Sequence, residues 1–278
     1  MLISLGQLIK SHSSVQSGST PAYLDSVIDS VCCDLDATIA ASYSGTGQTW
    51  ANLIASPADG AAQTAYDFYL GADGLASTND PTFNGTAGDA AAYWGFDGGD
   101  FFQIAGGNTA LLRDAHKTTG GPAITVGWAF KTPSSLSNFF GMGTAGATAD
   151  HGFRLFSLGG GDDFRWYQTT GLNAITLFTA APTIVADTDY LFLASFDYTA
   201  GSFKYWLNST TGVTETLVSN ASTTNAADAF QLGSAGSVAP VPSGFRTYGF
   251  YIFNEILDNT KAAAIINHIN ARHGRTYA

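Results

Sequence analysis

The sequence predicts an all-β protein whose main body is a sandwich of two sheets, and three observations carry this prediction. Glycine occurs 32 times in 278 residues, beside many Thr, Phe and Tyr residues, a composition that suits short strands and tight turns. Several segments alternate apolar and polar residues, which is the periodicity of a strand. The only glutamates are Glu215 and Glu255, so most acidic residues are aspartates, which prefer turns and caps to helix interiors.

Size and charge restrict the classes of partner. A hydrophobic content of 45% supports a full core, and sandwiches of 200–250 residues commonly form one domain. Only 12% of residues are charged, about half of the usual ~25%, so Gly, Ser, Thr, Asn and Ala must cover much of the surface. The net charge of −11 disfavours nucleic acid and anionic membrane surfaces as partners. Uncharged polar surfaces are common on proteins that hydrogen-bond sugars, and also on ordinary β domains.

Residues 1–31 are predicted to form a segment distinct from the body. Residues 11–21 have the composition of a linker, and the spacing of apolar residues over 23–31 is that of one helix face. The segment is either an element packed on the body or an arm that anchors the protein to a partner. The candidate anchoring residues are Leu2, Ile3, Leu5, Leu8 and Ile9.

The start of the chain lacks a secretory pattern, since no positive region or cleavage motif accompanies its short apolar stretch. No apolar run approaches the ~18–20 residues that span a bilayer. Cys32 and Cys33 are adjacent, and because a disulfide between neighbours is strained, we expect free buried thiols or an intermolecular contact. These features indicate synthesis in a reducing cytoplasm.

The body, residues 32–278, reads as a series of short strands that ends in one helix. Ile124, Val126, Trp128 and Phe130 alternate with smaller or polar residues, as in a strand with one inward face. The segments 190–196 and 203–208 flank a turn and predict a hairpin, and further strands are predicted at 153–157, 164–168, 230–233 and 247–253. The helix is predicted from an N-cap, an apolar face, a basic last turn and a stop. The N-cap is Asp258, the apolar face is formed by Ala262, Ile265, Ile266 and Ile269, the basic last turn contains Arg272 and His273, and the stop is Gly274.

Five segments carry a resemblance to a known family. Residues 34–53 are similar to the motif LDA…SYxGxGxxWxDL, 93–102 to FDGxDDY, 124–131 to TISxWFK, 194–208 to ALTYDGTTGxVKLYVNG, and 248–258 to GxIDEVRIYNRALSDEE. Their order resembles the laminin-G-like domains of the concanavalin A-like lectin/glucanase superfamily, over residues 34–273. The resemblance implies a jelly-roll β-sandwich with a short C-terminal helix, following an N-terminal extension. The opening segment is especially common in structural proteins of tailed phages and in marine bacterial surface proteins.

No catalytic pattern emerges. Glycosidases of this superfamily use the motif ExDxxE, whose carboxylates lie about 5–5.5 Å apart for retaining hydrolysis. Glu215 and Glu255 are forty residues apart and lack the flanking acids. The five histidines are dispersed and form no metal or triad motif. We therefore expect a protein that is not an enzyme and needs no cofactor.

Two binding sites are considered. Some laminin-G-like domains bind Ca²⁺ through loop aspartates, and the available carboxylates here are Asp97, Asp100, Asp162 and Asp163; the alternative is that they cap turns. Sugars pack on aromatic faces beside planar polar groups, and the best cluster for this is Arg154, Arg165, Trp166 and Tyr167. Arg165 and Tyr167 share the strand face opposite Phe164 and Trp166, and core packing is the alternative role for the tryptophan.

These features lead to a functional expectation. The protein is predicted to be a non-enzymatic virion surface protein of a tailed bacteriophage, assembled in the host cytoplasm. It would be a head decoration, a spike or a tail-fibre component that contacts other virion proteins. Residues 1–31 would anchor it, the body would fold without them, and the sandwich would face host glycan. Because assembled virion proteins are usually symmetric, we expect a homo-oligomer. The alternatives are a bacterial carbohydrate-binding adhesin or lectin module and a polysaccharide hydrolase.

Overall fold

A computed structural model describes residues 22–158, 163–178, 184–235 and 240–277. Within these residues the chain forms sixteen strands and two α-helices, with 3-10 turns at Leu24–Ser26 and Gln63–Tyr66. The strands are β1 (Val31–Asp36), β2 (Thr49–Trp50), β3 (Phe68–Leu70), β4 (Thr82–Asn84), β5 (Tyr93–Gly95), β6 (Phe102–Ile104), β7 (Ile124–Lys131), β8 (Phe139–Gly143), β9 (His151–Leu158), β10 (Asp163–Thr170), β11 (Asn173–Leu177), β12 (Asp189–Asp197), β13 (Ser202–Leu207), β14 (Val213–Thr216), β15 (Gln231–Leu232) and β16 (Arg246–Phe253). The helices are α1 (Ala110–Asp114) and α2 (Asn259–His273).

The strands form two antiparallel sheets of eight strands each. Sheet I has the order β14-β13-β12-β7-β16-β5-β4, and β1 pairs with β16 beside β5. Sheet II has the order β11-β10-β9-β8-β15-β6-β3-β2. The predicted hairpin is confirmed as β12 and β13, joined by a turn after Asp197. The predicted fold class, an all-β jelly-roll sandwich with a C-terminal helix, is confirmed.

Aromatic side chains fill the space between the sheets. Trp94, Trp128 and Trp166 are fully buried there, and Phe153 stacks on Trp166 with ring centroids 5.3 Å apart. Each large aromatic ring buries about 150–250 Å², so a chain with few charges obtains its stability from this layer. The indole of Trp128 also donates a hydrogen bond to the hydroxyl of Thr247 (3.1 Å).

A second apolar layer lies on the outer face of sheet I, where α2 packs. The carboxylate of Asp258 accepts a hydrogen bond from the backbone N–H of Lys261 (2.8 Å), and Gly274 ends the helix with φ 59°, as the sequence predicts. The isoleucine face is buried against the sheet. Strand β7 is therefore buried on both faces, including Thr125 and Ala129, although alternation correctly predicts which residues face the core.

The helical face predicted over residues 23–31 is wrong. Only the 3-10 turn Leu24–Ser26 forms, and Val31 begins strand β1 because it pairs with Phe253 of β16. Leu24, Ile28 and Val31 are buried in the layer that contains α2. The predicted domain boundary between residues 31 and 32 thus falls within β1, and residues 22–31 pack with the body. The anchoring candidates Leu2, Ile3, Leu5, Leu8 and Ile9 lie outside the described residues.

The two cysteines are free and buried, which confirms the prediction of buried thiols. Burial raises the pKa of the Cys32 thiol to about 12, and the charge of Asp59 adds to this effect. Burial also raises the pKa of the Cys33 thiol well above its ordinary value. Both thiols are therefore protonated and unreactive at neutral pH. Neither helix in the described parts of the chain is long and apolar enough to cross a membrane.

Candidate functional site

Strand β10 carries three of the four residues predicted to contact sugar. Its alternation is as expected: Phe164 and Trp166 lie in the core, and Arg165 and Tyr167 lie on the opposite face. Trp166 has no exposed surface, because its ring packs against Phe153 and against other core aromatics. It therefore has no ring face to offer a sugar, and core packing, the alternative role, is its role here.

Arg154 and Tyr167 are brought together on the outer face of sheet II, but they are only 5% and 7% exposed. The guanidinium of Arg154 lies 5.1 Å from the centre of the Tyr167 ring and donates a hydrogen bond to the carbonyl of Gly146. It thereby holds the β8–β9 loop against the sheet. Of the predicted cluster, only Arg165 keeps a partly exposed side chain. The cluster forms a packed structural contact and no open platform.

Only some of the carboxylates predicted to bind calcium lie within the described residues. The buried carboxylate of Asp100 accepts a hydrogen bond from the backbone N–H of Asp97 (2.8 Å). Burial raises the pKa of Asp100 to about 7, although this hydrogen bond lowers it. Asp162 and the side chain of Asp163 lie outside the described residues. Among the residues that are described, no three His, Cys, Asp or Glu side chains are grouped so that they could hold a metal ion. Calcium binding stays a prediction.

A buried ion-pair network joins α2 to β1. Arg272 contacts both oxygens of Asp34 (2.8 and 2.9 Å) and one oxygen of Asp36 (3.0 Å), and His273 lies 2.9 Å from the same Asp36 oxygen. Burial alone would raise the pKa of Asp36, but His273 and Arg272 outweigh it and hold that pKa well below its usual range. The four side chains are almost fully buried. The two carboxylates are fully buried, so the network fixes the helix on the sheet; of its four side chains, Arg272 also lines an open pocket, beside Ala22 and His268.

An open pocket of about 270 Å³ lies on sheet I, where β4, β5 and the start of β16 meet. Its volume is slightly below the ~300–1,000 Å³ of pockets for drug-sized ligands, which suits a ligand of about one ring. We call it the Tyr93 pocket and define it by the residues that line it and carry the argument: Asn84, Tyr93, Gly95, Asp97 and Arg246.

The register of the strands places these residues side by side. Tyr93 lies opposite Asn84 across β4 and β5, and Arg246 lies opposite Gly95 across β5 and β16. The guanidinium of Arg246 lies 4.5 Å from the centre of the Tyr93 ring, a cation–π contact that holds both groups in place. The side chain of Arg246 makes no hydrogen bond or ion pair with any residue in the described ranges, so its N–H donors stay available to a ligand.

Gly95 keeps the floor of the pocket open. A Cβ at this position would lie 3.0 Å from the amide nitrogen of Asn84 and 3.7 Å from the ring of Tyr93, so a side chain would fill the gap between them. The Asn84 amide donates to the carbonyl of Thr82 (2.8 Å), which leaves its oxygen as an acceptor. One oxygen of the exposed Asp97 carboxylate accepts from the backbone N–H of Gly99 (3.1 Å). The pocket thus combines one strong donor group, two acceptors and an aromatic ring.

Sequence reasoning missed this pocket. Tyr93 and Asp97 belong to a quoted motif, but Asn84 and Arg246 come from strands far away in the sequence, and only the sheet register brings them together. One local signal was present: Gly95 directly follows Tyr93 and Trp94, and a glycine inside a strand often marks a place where a ligand approaches closely.

Comparison with known proteins shows the fold. No protein-family model matches the sequence, and no curated protein matches it. Among solved structures, the botulinum neurotoxin serotype D binding domain has a TM-score of 0.56 at 11% identity, over 87% of this chain and 51% of that chain. A second structure, the receptor binding domain of botulinum neurotoxin D, gives 0.55 at 11%, over 85% and 52%. Trypanosoma rangeli sialidase gives 0.51 at 12% identity, over 88% and 33%. The chain spans between a third and about half of these proteins, and it shares with them a β-sandwich fold.

Proposed function

We propose that the protein is a non-enzymatic carbohydrate-binding module and that its ligand occupies the Tyr93 pocket. The observation that carries this proposal is the guanidinium of Arg246, which is stacked on Tyr93 yet has no hydrogen-bond partner in the described part of the chain. A concave site with an aromatic ring and a few convergent polar groups is the usual form of a small-molecule site. Sugar hydroxyls both donate and accept hydrogen bonds, and therefore match this mixture of groups.

The solved structures with this fold support the proposal by analogy. They include a receptor binding domain of botulinum neurotoxin D and Trypanosoma rangeli sialidase in complex with sialic acid, which has a TM-score of 0.51. A shared fold does not determine a ligand, so the argument depends on the pocket itself.

The proposal that the module is not a glycosidase rests on its two glutamates. Glu215 lies on β14 and Glu255 just beyond β16, and four strand spacings of about 4.8 Å place these strands roughly 19 Å apart. Paired glycosidase carboxylates are about 5–9.5 Å apart. The carboxylate of Glu255 is also bound by Ser30 and Lys261, which removes it as a free nucleophile or base.

A glycan array tests the site. We expect the wild-type protein to retain one or more glycans and the Tyr93→Ala variant to lose them, because the variant removes both the ring and the support of Arg246. Tyr69→Ala is the matched control, since Tyr69 is a half-buried tyrosine on sheet II, away from the pocket. Absence of any glycan bound by the wild type, or equal loss in both variants, would contradict the proposal.

The finer proposal is that this module belongs to the surface of a tailed-phage virion, as a head decoration, spike or tail-fibre component. The resemblance of residues 34–53 to an opening segment common in phage structural proteins supports it. Mass spectrometry of purified particles tests it, and absence of the protein from them would overturn it. A bacterial adhesin or lectin module, the alternative, would retain the sugar pocket but be found on the cell surface.

A further inference from the structure

We propose that the Tyr93 pocket selects an uncharged pyranose and binds it through two neighbouring hydroxyl groups. One hydroxyl oxygen would accept hydrogen bonds from Arg246, and the other hydroxyl would donate to Asp97 or to the amide oxygen of Asn84. This inference rests on the proposed function and adds the class of sugar.

The balance of charge inside the pocket favours a neutral ligand. A carboxylate on the ligand would gain from Arg246 but would be opposed by the carboxylate of Asp97, which lines the same pocket. A pair of hydroxyls satisfies both groups, because a hydroxyl is donor and acceptor at once. Opposite charges within one small pocket therefore discriminate against anions and cations alike.

A cation on the neighbouring strand does not change this balance of charge. Lys131 lies opposite Arg246 in the register of β7 and β16, but its ammonium group is 2.8 Å from the carboxylate of Asp187. Lys131, with a smaller effect of Arg246, lowers the pKa of Asp187, so this acid is ionised at neutral pH and offsets the lysine. Among the described residues that line the pocket, Arg246 is therefore the one cation that has no ion-pair partner.

The charge of the whole chain acts in the same direction. A net charge of −11 repels polyanionic glycans at long range. The planar fork of Arg246 is fixed by its stack on Tyr93, so it can contact two adjacent oxygens with little loss of side-chain freedom. The open floor at Gly95 gives the edge of a sugar ring access to this fork.

Titration followed by NMR tests the inference on the full chain. The probes are the methyl glycosides of glucose, mannose and galactose, together with methyl glucuronide and the methyl glycoside of N-acetylneuraminic acid. We expect one or more of the neutral glycosides to bind, and the acidic ones to bind about tenfold more weakly or worse. Arg246→Gln should weaken the neutral sugar about tenfold, as expected for the loss of hydrogen bonds to a charged group.

The Asp97→Asn variant separates the possible outcomes. It keeps the size and one acceptor but removes the charge, so we expect tighter binding of methyl glucuronide and little change for the neutral sugar. Asp73→Asn, in an exposed turn, makes the same change in net charge elsewhere and should have no effect. Tighter binding of an acidic than of any neutral sugar, or an equal effect of the two asparagine variants, would overturn the inference and leave the proposed function standing. If no sugar of either class binds, the proposed function itself is wrong.

Discussion

His116 links the stability of the protein to pH through one buried ring. The side chain is fully buried, and neither ring nitrogen has a hydrogen-bond partner of good geometry among the described residues. The ring of His151 lies 6.4 Å away, centre to centre. Burial, followed by the charges of His151 and Lys117, lowers the pKa of His116 to about 4. The folded protein therefore holds this imidazole neutral at pH values where the unfolded chain protonates it.

We expect His116 to destabilise the fold progressively as the pH falls from 6.5 to 4. Because the pKa is about 4 when folded and about 6.5 when unfolded, protonation in this range favours the unfolded chain, by up to about 3 kcal/mol. Above pH 6.5 both states are neutral and the effect is absent. Urea unfolding of the wild type and of His116→Leu at pH 7.5 and pH 4.5 measures this effect. Relative to the wild type, the variant should have a higher free energy of unfolding at pH 4.5 than at pH 7.5.

The pH dependence of the wild type must be compared with that of His116→Leu, because the contribution of Asp100 to stability changes with pH in the opposite direction. Its pKa is raised to about 7, so its contribution to stability is present at low pH and is lost as the pH rises through 7. Asp36, with its lowered pKa, loses its contribution only below about pH 4. An equal difference in stability between wild type and His116→Leu at both pH values would show that His116 does not titrate as described.

At the scale of elements, the attachment of α2 depends on Arg272. Substitution by Met would leave Asp34 buried without its cation and Asp36 with His273 alone, and loss of one partner from a buried ion pair costs about 3–5 kcal/mol. We expect Arg272→Met to lower the free energy of unfolding by this amount, as measured by urea denaturation at neutral pH.

Lys261→Met is the matched control on the same helix. Its ion pair with Glu255 is partly exposed, and surface pairs contribute about 0–1 kcal/mol. Equal destabilisation by the two substitutions would show that the buried network contributes no more than an exposed pair.

The elements differ in how far the sequence predicts them. Helix α2 is predictable because its cap, its isoleucine spacing and its final glycine are local signals. The segment 23–31 has a helical spacing too, but the pairing of Val31 with Phe253 outweighs this weak local preference. Alternation in β10 correctly separates its two faces. It does not predict that the β8–β9 loop covers Arg154, since that contact depends on the tertiary structure.

The same distinction holds for the whole molecule. Composition and alternation predict the sandwich, because both reflect properties averaged over many residues. The carboxylate partners of Arg272 are more than 230 residues away in the sequence, and the Tyr93 pocket joins three strands. Such contacts follow from the order of strands in the sheets, which a single sequence does not specify.

Two deletions separate the N-terminal segment from the body. Removal of residues 2–21 leaves every described contact in place and provides the reference for thermal stability. Removal of residues 2–31 also takes away Leu24, Ile28 and Val31, which are buried beside α2, and burial of each such side chain contributes about 1.5–3 kcal/mol. The longer deletion should therefore unfold at a clearly lower temperature in calorimetry. Equal stability of the two would mean that residues 22–31 are dispensable for the body, as the sequence predicts.

The pairing of β1 with β16 also has a consequence for synthesis. Strand β1 pairs with β16, which begins only at Arg246, and β16 lies between β1 and β7 within sheet I. During translation sheet I therefore stays split, with the facing edges of β1 and β7 unpaired, until residues 246–253 leave the ribosome. Long-range pairing of this kind slows folding and exposes strand edges that aggregate. We expect nascent chains stalled before β16 to need chaperones, whereas chains that extend past β16 can close the sheet.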